Sequence, residues 1–132
     1  MSNKLTSVLI VDDDHDLRDV FAILLADSGF LVRTAADGVA ALAEMKSELP
    51  DVLVSDLDMP IMNGFELLSI VRNHFPVVGV IAMSGAYSGN EVPKGVVADA
   101  FYPKGGALRN PLPEMVNAIT EGFGANMRRC AA

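Results

Sequence analysis

A single cysteine, Cys130, stands in 132 residues, so no disulfide can form within the chain and a reducing cytoplasm is the expected setting. Long apolar runs are missing as well. The longest stretch without a charged side chain, Asn73 to Asn90, holds Pro76, three glycines and two serines, which fits a buried strand and a loop rather than a membrane span. Near the start, Lys4 is followed by only a four-residue apolar run before Asp12, too short for the core of a secretory signal. Cations are scarce: 10 Lys and Arg stand against 17 Asp and Glu. The resulting charge of -7 argues against a nucleic-acid-binding module, which neutralises phosphates with a basic stripe. No repeat, low-complexity segment or linker interrupts the chain, whose length suits one domain with one core.

The acids that are present fall in clusters. Asp12, Asp13, Asp14, Asp16 and Asp19 follow the first apolar run, and Asp51, Asp56 and Asp58 surround the third. Charges serving only solubility would be spread more evenly.

The apolar runs themselves predict the elements. VLIV at Val8 to Val11 and VLVS at Val52 to Ser55 lack the alternation of a half-exposed strand, so each reads as a strand buried on both faces. Between them, Leu17, Val20, Phe21, Leu24 and Ser28 give a helix with one apolar face, started by Asp14 or Asp16 and stopped before Gly29. Phe30 to Ala35 predicts a more exposed strand. Asp37 to Leu49 predicts a helix facing inward through Val39, Leu42 and Met45 and closed by Pro50. A third helix runs from Phe65 to His74 with Phe65, Leu68 and Val71 inward, and Val77 to Met83 is the fourth strand. Gly89, Pro93 and Gly95 allow only a short, irregular helix after it. Ala100 to Tyr102 makes a fifth strand that Pro103 confines to an edge, and Leu112 to Phe123 forms the last helix. The domain is expected over residues 1–124, with a frayed tail at 125–132 that carries no recognisable effector.

Strands alternating with helices through short links make a doubly wound α/β fold, a parallel five-stranded sheet with helices on both faces. Ligands of such sheets sit at the carboxyl ends of the strands. Strands one, three, four and five deliver Asp12 and Asp13, Asp56, Ser84 and Lys104 to that rim. Asp56 alone is a poor nucleophile toward a phosphoryl group, because both partners are negative. Asp13 and Asp56, with backbone carbonyls and waters, suit Mg²⁺, and Asp12 can act through a metal-bound water. Lys104 supplies a point charge for phosphoryl oxygens and Ser84 a hydroxyl donor. Positioning and charge neutralisation are nearly all that phosphoryl transfer needs.

VLIVDDD, SDLDMPIMNG, IAMSG and a lysine after a short aromatic strand, in that order, resemble the receiver domains of response regulators in two-component signalling. The resemblance covers about Leu5 to Phe123. It implies the flavodoxin-like strand order 2-1-3-4-5, Asp56 as phosphoacceptor, and Asp12 and Asp13 as the metal-binding pair, with the backbone carbonyl of Asp58 as a third protein ligand. It also implies Ser84 as the switch hydroxyl, Lys104 as the family's lysine, and Phe101 as an aromatic that rotates inward on phosphorylation. The phosphodonor would be a sensor histidine kinase or a histidine phosphotransfer protein, acting with Mg²⁺ on a non-enzymatic signalling module that loses its phosphoryl group slowly to water. Two features depart from the pattern: Gly105 stands where the family has a cis proline, which favours a trans, more mobile loop, and the helix after the fourth strand is poor.

Other readings exist for the same residues. The D-L-D motif also resembles phosphatases of the haloacid-dehalogenase type, in which Asp58 would be the acid and base, but that family places its acidic pair after the lysine and this chain places it first. A pseudo-receiver would keep the fold without taking phosphate. Residue by residue, Lys104 can be a solvated edge lysine, Ser84 a turn cap, Phe101 a core aromatic, His15 and His74 surface residues, and Met59 and Met62 gap fillers.

Overall fold

The computed structural model describes residues 5–85, 97–104 and 111–121. In chain order these form β1 (Ser7–Val11), α1 (His15–Asp27), β2 (Leu31–Ala35), α2 (Gly38–Ser47), β3 (Val52–Asp56), α3 (Gly64–His74), β4 (Gly79–Ser84), β5 (Ala100–Pro103) and α4 (Leu112–Glu121). All strand pairs are parallel, in the order β2-β1-β3-β4-β5, which is the flavodoxin-like arrangement expected. The irregular helix expected after the fourth strand, the Lys104–Gly105 bond and the tail lie outside the described residues.

Strand alternation sorts the core into two layers. Leu9, Val11, Leu53, Val80, Ala82 and Phe101 pack on one face against Ala41 and Met45 of α2 and Leu67, Leu68 and Val71 of α3. Val8, Ile10, Val52, Val54, Ile81, Met83 and Tyr102 pack on the other against Phe21 and Leu25 of α1 and Leu112, Val116 and Ile119 of α4. Helices thus cover both faces, and the three inner strands are buried almost throughout.

The helices start where short polar side chains accept their free amides. Asp14 caps α1 through Asp16 N and Leu17 N, Asp37 caps α2 through Ala40 N, and Asn63 caps α3 through Glu66 N. Gly29 closes α1 with a φ of 99°, a conformation that favours glycine.

Three of the expected helix faces are shifted. In α2 the buried positions are Gly38, Ala41 and Met45, while Val39 is 57% exposed. Three-residue steps such as 39-42-45 drift off a helical face, whereas a step of three followed by one of four stays on it. For the same reason α1 buries Phe21 and Leu25 and leaves Val20 56% exposed, and α3 buries Leu67 beside Leu68 and Val71 with Phe65 only half-buried. At its start β4 is two residues shorter than the apolar run, because Val77 is 48% exposed in the turn before it.

Side-chain clamps fasten the amino ends of the strands. Ser7 N donates to Asp51 Oδ2 at 2.8 Å while Asp51 N donates to Ser7 Oγ at 3.1 Å. Across the sheet, Asp99 accepts from Val80 N at 2.8 Å and pairs with Arg72 of α3 at 3.1 Å.

At the other end, the chain turns from β3 to α3 with almost no clearance. Gly64 N donates to the Leu57 carbonyl at 3.0 Å, and a Cβ on Gly64 would overlap the Asp56 carbonyl oxygen and come within 2.5 Å of Leu57 Cα. Gly64→Ala is therefore expected to lower stability by about 1–3 kcal/mol and to displace the end of β3. Urea midpoints and the Asp56 amide resonance check this, and unchanged values would show slack in the docking of α3.

Candidate functional site

The strand order reverses between β1 and β3: the chain leaves β1 for β2 on one side and returns to β3 on the other. A crevice opens at the carboxyl ends of strands at such a point. Asp12 and Asp13 directly follow β1 and Asp56 is the last residue of β3, so backbone register alone brings the three carboxylates to one place. One oxygen from each lies within 4.8 Å of the others. Asp12 is 0% exposed and Asp56 3%, whereas Asp13 faces solvent.

β5 carries Lys104 to the same spot. Its amide donates to the Ser84 carbonyl at 3.0 Å, extending the pairing of β4 with β5. From there its Nζ reaches Asp12 Oδ2 at 2.9 Å and Asp56 Oδ2 at 3.3 Å. The ammonium therefore bridges the two buried carboxylates. The other oxygen of Asp12 accepts from Asp14 N at 2.9 Å, and Arg18 Nη1 donates to the Asp12 carbonyl at 2.9 Å. Asp12 Oδ2 makes no well-aligned hydrogen bond although fully buried, so the charge of Lys104 is what compensates it.

Burial pushes the Asp56 carboxyl up to about 6, more than Lys104 and the Asp58 amide pull it down, and the neighbouring charge of Asp12 adds to the rise. Burial acts to lower the Lys104 ammonium, yet its close contact with Asp12 and the charges of Asp56 and Asp12 outweigh this and the net shift is upward. Such a site attracts positive charge. Three hard carboxylate donors in one hollow, one of them a buried oxygen short of a hydrogen bond, fit a small divalent cation such as Mg²⁺.

Ser84 ends β4 fully buried and donates from Oγ to Asp58 Oδ2 at 2.8 Å. Asp58 in turn donates its amide to Asp56 Oδ1 at 3.2 Å, which folds the turn back over the strand end. Sequence reasoning gave Asp58 a metal-binding carbonyl or, in the phosphatase alternative, an acid and base role, and missed its carboxylate as the partner of Ser84. The two-residue spacing in D-L-D was the available signal, since it places the second carboxylate in the first turn beyond the strand. Phe101 is 4% exposed and belongs to the core layer on the α2 and α3 side of the sheet. His15 is exposed among Asp16 and Asp19, Met59 fills the core, and Met62 packs against it.

Comparison with known proteins follows the same lines. The response regulator receiver domain pattern matches residues 8–102. Response regulator MprA of Mycobacterium ulcerans is 34% identical over 110 residues, 82% of this chain and 47% of that protein. The chemotaxis protein CheY4 of Vibrio cholerae shares the fold with a TM-score of 0.70 at 30% identity, over 86% of this chain and 96% of its own. Response regulator TrrA of Thermotoga maritima, solved with Mg²⁺ and BeF, gives 0.76 at 25% identity, over 86% and 97%. TrrA is also known in complex with the histidine kinase ThkA, where the TM-score is 0.76 at 26% identity, over the same shares. The chain spans half or less of the length of the curated relatives it matches first.

The raised pKa of Asp56 has a consequence for stability. Between about pH 4 and pH 6 the folded protein holds a proton that the unfolded chain has lost, so stability falls as pH rises through that window. Without divalent cations, Asp56→Asn is expected to be more stable than the parent by about 2 kcal/mol at pH 7.5, with the difference closing toward pH 4. Urea midpoints against pH measure it, and a pH-independent difference would show that the carboxylate is not strained by burial.

Proposed function

This chain belongs to the response-regulator receiver domain family, a family of signalling domains rather than turnover enzymes, and from that premise we propose that Asp56 is its phosphoacceptor. The donor is a phosphohistidine on a sensor histidine kinase or a histidine phosphotransfer protein, in the cytoplasm. An Asp56 carboxylate oxygen attacks phosphorus as the phosphorus–nitrogen bond breaks, leaving an acyl phosphate and a neutral imidazole after a proton is taken up. Asp12, Asp13, Asp56 and the Asp58 backbone carbonyl would hold Mg²⁺, which supplies charge neutralisation between carboxylate and phosphoryl oxygens.

The chain's own side chains do the rest. Burial strips solvent from the ionised Asp56, which leaves its carboxylate oxygen a more reactive nucleophile. Lys104 starts on Asp56 Oδ2 and needs only a small swing to reach a phosphoryl oxygen there. Ser84, at the end of the neighbouring strand, supplies a hydroxyl donor to a second oxygen. These new bonds bias a two-state equilibrium at the β4 and β5 ends, with Phe101 as the aromatic in the moving layer and β5 with α4 as part of the partner surface. Water later attacks the acyl phosphate and resets the site.

The observation that carries this reading is the bridge from Asp12 through Lys104 to Asp56, with Asp13 alongside, at the switch point of the sheet. A pseudo-receiver has no need of the full charged set, and a phosphatase of the dehalogenase type does not place its acidic pair on the first strand.

With Mg²⁺ and acetyl phosphate, intact mass should show one added phosphoryl group, lost in Asp56→Asn. Lys104→Ala should label about tenfold more slowly or worse, and removing Mg²⁺ with a chelator should stop labelling. Label that persists in Asp56→Asn would overturn the assignment, and rapid multiple turnover of a phosphate ester abolished by Asp58→Ala would favour the phosphatase.

A further inference from the structure

Asp58 Oδ2 lies 2.8 Å from the Ser84 hydroxyl, across 26 residues of chain, at the lip of the crevice. This is a contact between the loop after β3 and the end of β4, on the rim next to Asp56. Ser84 has no exposed surface, so its hydroxyl is committed to protein partners rather than water. Asp58 is exposed, and its backbone is tied to Asp56 through the bond from its amide to Asp56 Oδ1. One short turn therefore connects the carboxylate that holds Ser84 to the carboxylate that Ser84 is to serve.

We infer that the Asp58 side chain is a positioning residue that latches the Ser84 hydroxyl in the resting state. The inference rests on Asp56 being the phosphoacceptor and Ser84 its hydroxyl donor. A hydroxyl has one proton to donate, and here it is given to a side-chain oxygen of Asp58. A phosphoryl group arriving on Asp56 gains the hydroxyl only by drawing it off Asp58. The latch holds the site in its resting arrangement until enough negative charge has appeared on Asp56, and it takes Ser84 back once that charge is lost. The Asp58 side chain touches no reacting atom in this scheme. Its acceptor oxygen matters and its charge does not, because an uncharged carbonyl oxygen in the same place also holds the hydroxyl.

Three variants separate this from a plain charge effect. Asp58→Ala removes the acceptor and the charge, Asp58→Asn removes only the charge, and Ser84→Ala removes the donor. In the unphosphorylated protein without Mg²⁺, scalar couplings should report one Ser84 χ1 rotamer for the parent and for Asp58→Asn, and rotamer averaging for Asp58→Ala. With saturating Mg²⁺ and acetyl phosphate, Asp58→Ala should label Asp56 about fivefold faster than Asp58→Asn, which is equally uncharged but keeps an acceptor oxygen. In the Ser84→Ala background, Asp58→Ala and Asp58→Asn should label at the same rate. A Ser84 rotamer unmoved by Asp58→Ala overturns the latch. So does an Asp58→Asn variant as fast as Asp58→Ala, or an equal difference between them with and without Ser84, since either detaches the gain from the Ser84 contact. If Asp56 takes no label in the parent, the receiver assignment fails instead, and the rotamer measurement still reports on the contact.

Discussion

One ammonium between two buried carboxylates is the constraint around which the rest is arranged. Asp12 and Asp56 are almost wholly removed from water, and two like charges in such a place repel each other and lose solvation. Lys104 Nζ, within 2.9 Å of one and 3.3 Å of the other, is what lets both remain close. The compensation is incomplete: Asp56 keeps a pKa near 6 despite its cation, and Asp12 Oδ2 lacks an aligned donor. A site left short of positive charge in this way is suited to take a divalent cation and, through it, a phosphoryl group.

Aspartates at the two ends of the sheet do opposite work. Asp51 and Asp99, before β3 and β5, accept from backbone amides of Ser7 and Val80 and fasten the amino ends. Asp12 and Asp56 lie at the carboxyl ends and repel each other. The difference lies in the partners: Asp51 and Asp99 meet strand amides, and Asp99 an arginine of its own, whereas Asp12 and Asp56 each accept a loop amide and have to share one lysine. Rigidity at one end is what holds uncompensated charge at the other, because the two apolar layers and the contact of Gly64 with Leu57 leave β3 little freedom to spread.

Much of this was legible before any coordinates. VLIV and VLVS are too uniformly apolar for anything but inner strands, and a strand that stops at an aspartate places that aspartate on the rim, so Asp12, Asp13, Asp56, Ser84 and Lys104 converge by topology alone. Less legible were the helix faces. Val39 and Val20 are apolar yet turned outward, because hydrophobicity marks a residue that can be buried and only helical phase decides which ones are. The pairing of Arg72 with Asp99 was out of reach and that of Asp58 with Ser84 only hinted at by the D-L-D spacing, as each joins side chains 26 or 27 residues apart whose meeting depends on how the loops fold back.

Both polar arms of the site have resting partners. Lys104 lies on Asp12 and Asp56, and Ser84 lies on Asp58. A phosphoryl group on Asp56 offers both of them oxygens carrying more charge than the carboxylates they would leave, so the switched state wins by the difference between two sets of bonds and not by the full strength of either. Differences of that kind amount to a few kcal/mol, the range in which a two-state equilibrium can be shifted decisively and still return when the ligand is lost. An apolar rim with a free hydroxyl and a free lysine would bind the phosphoryl group more tightly and release it less readily. In the proposed switch the acidic crowding at the end of this sheet would therefore serve reversibility as well as metal binding.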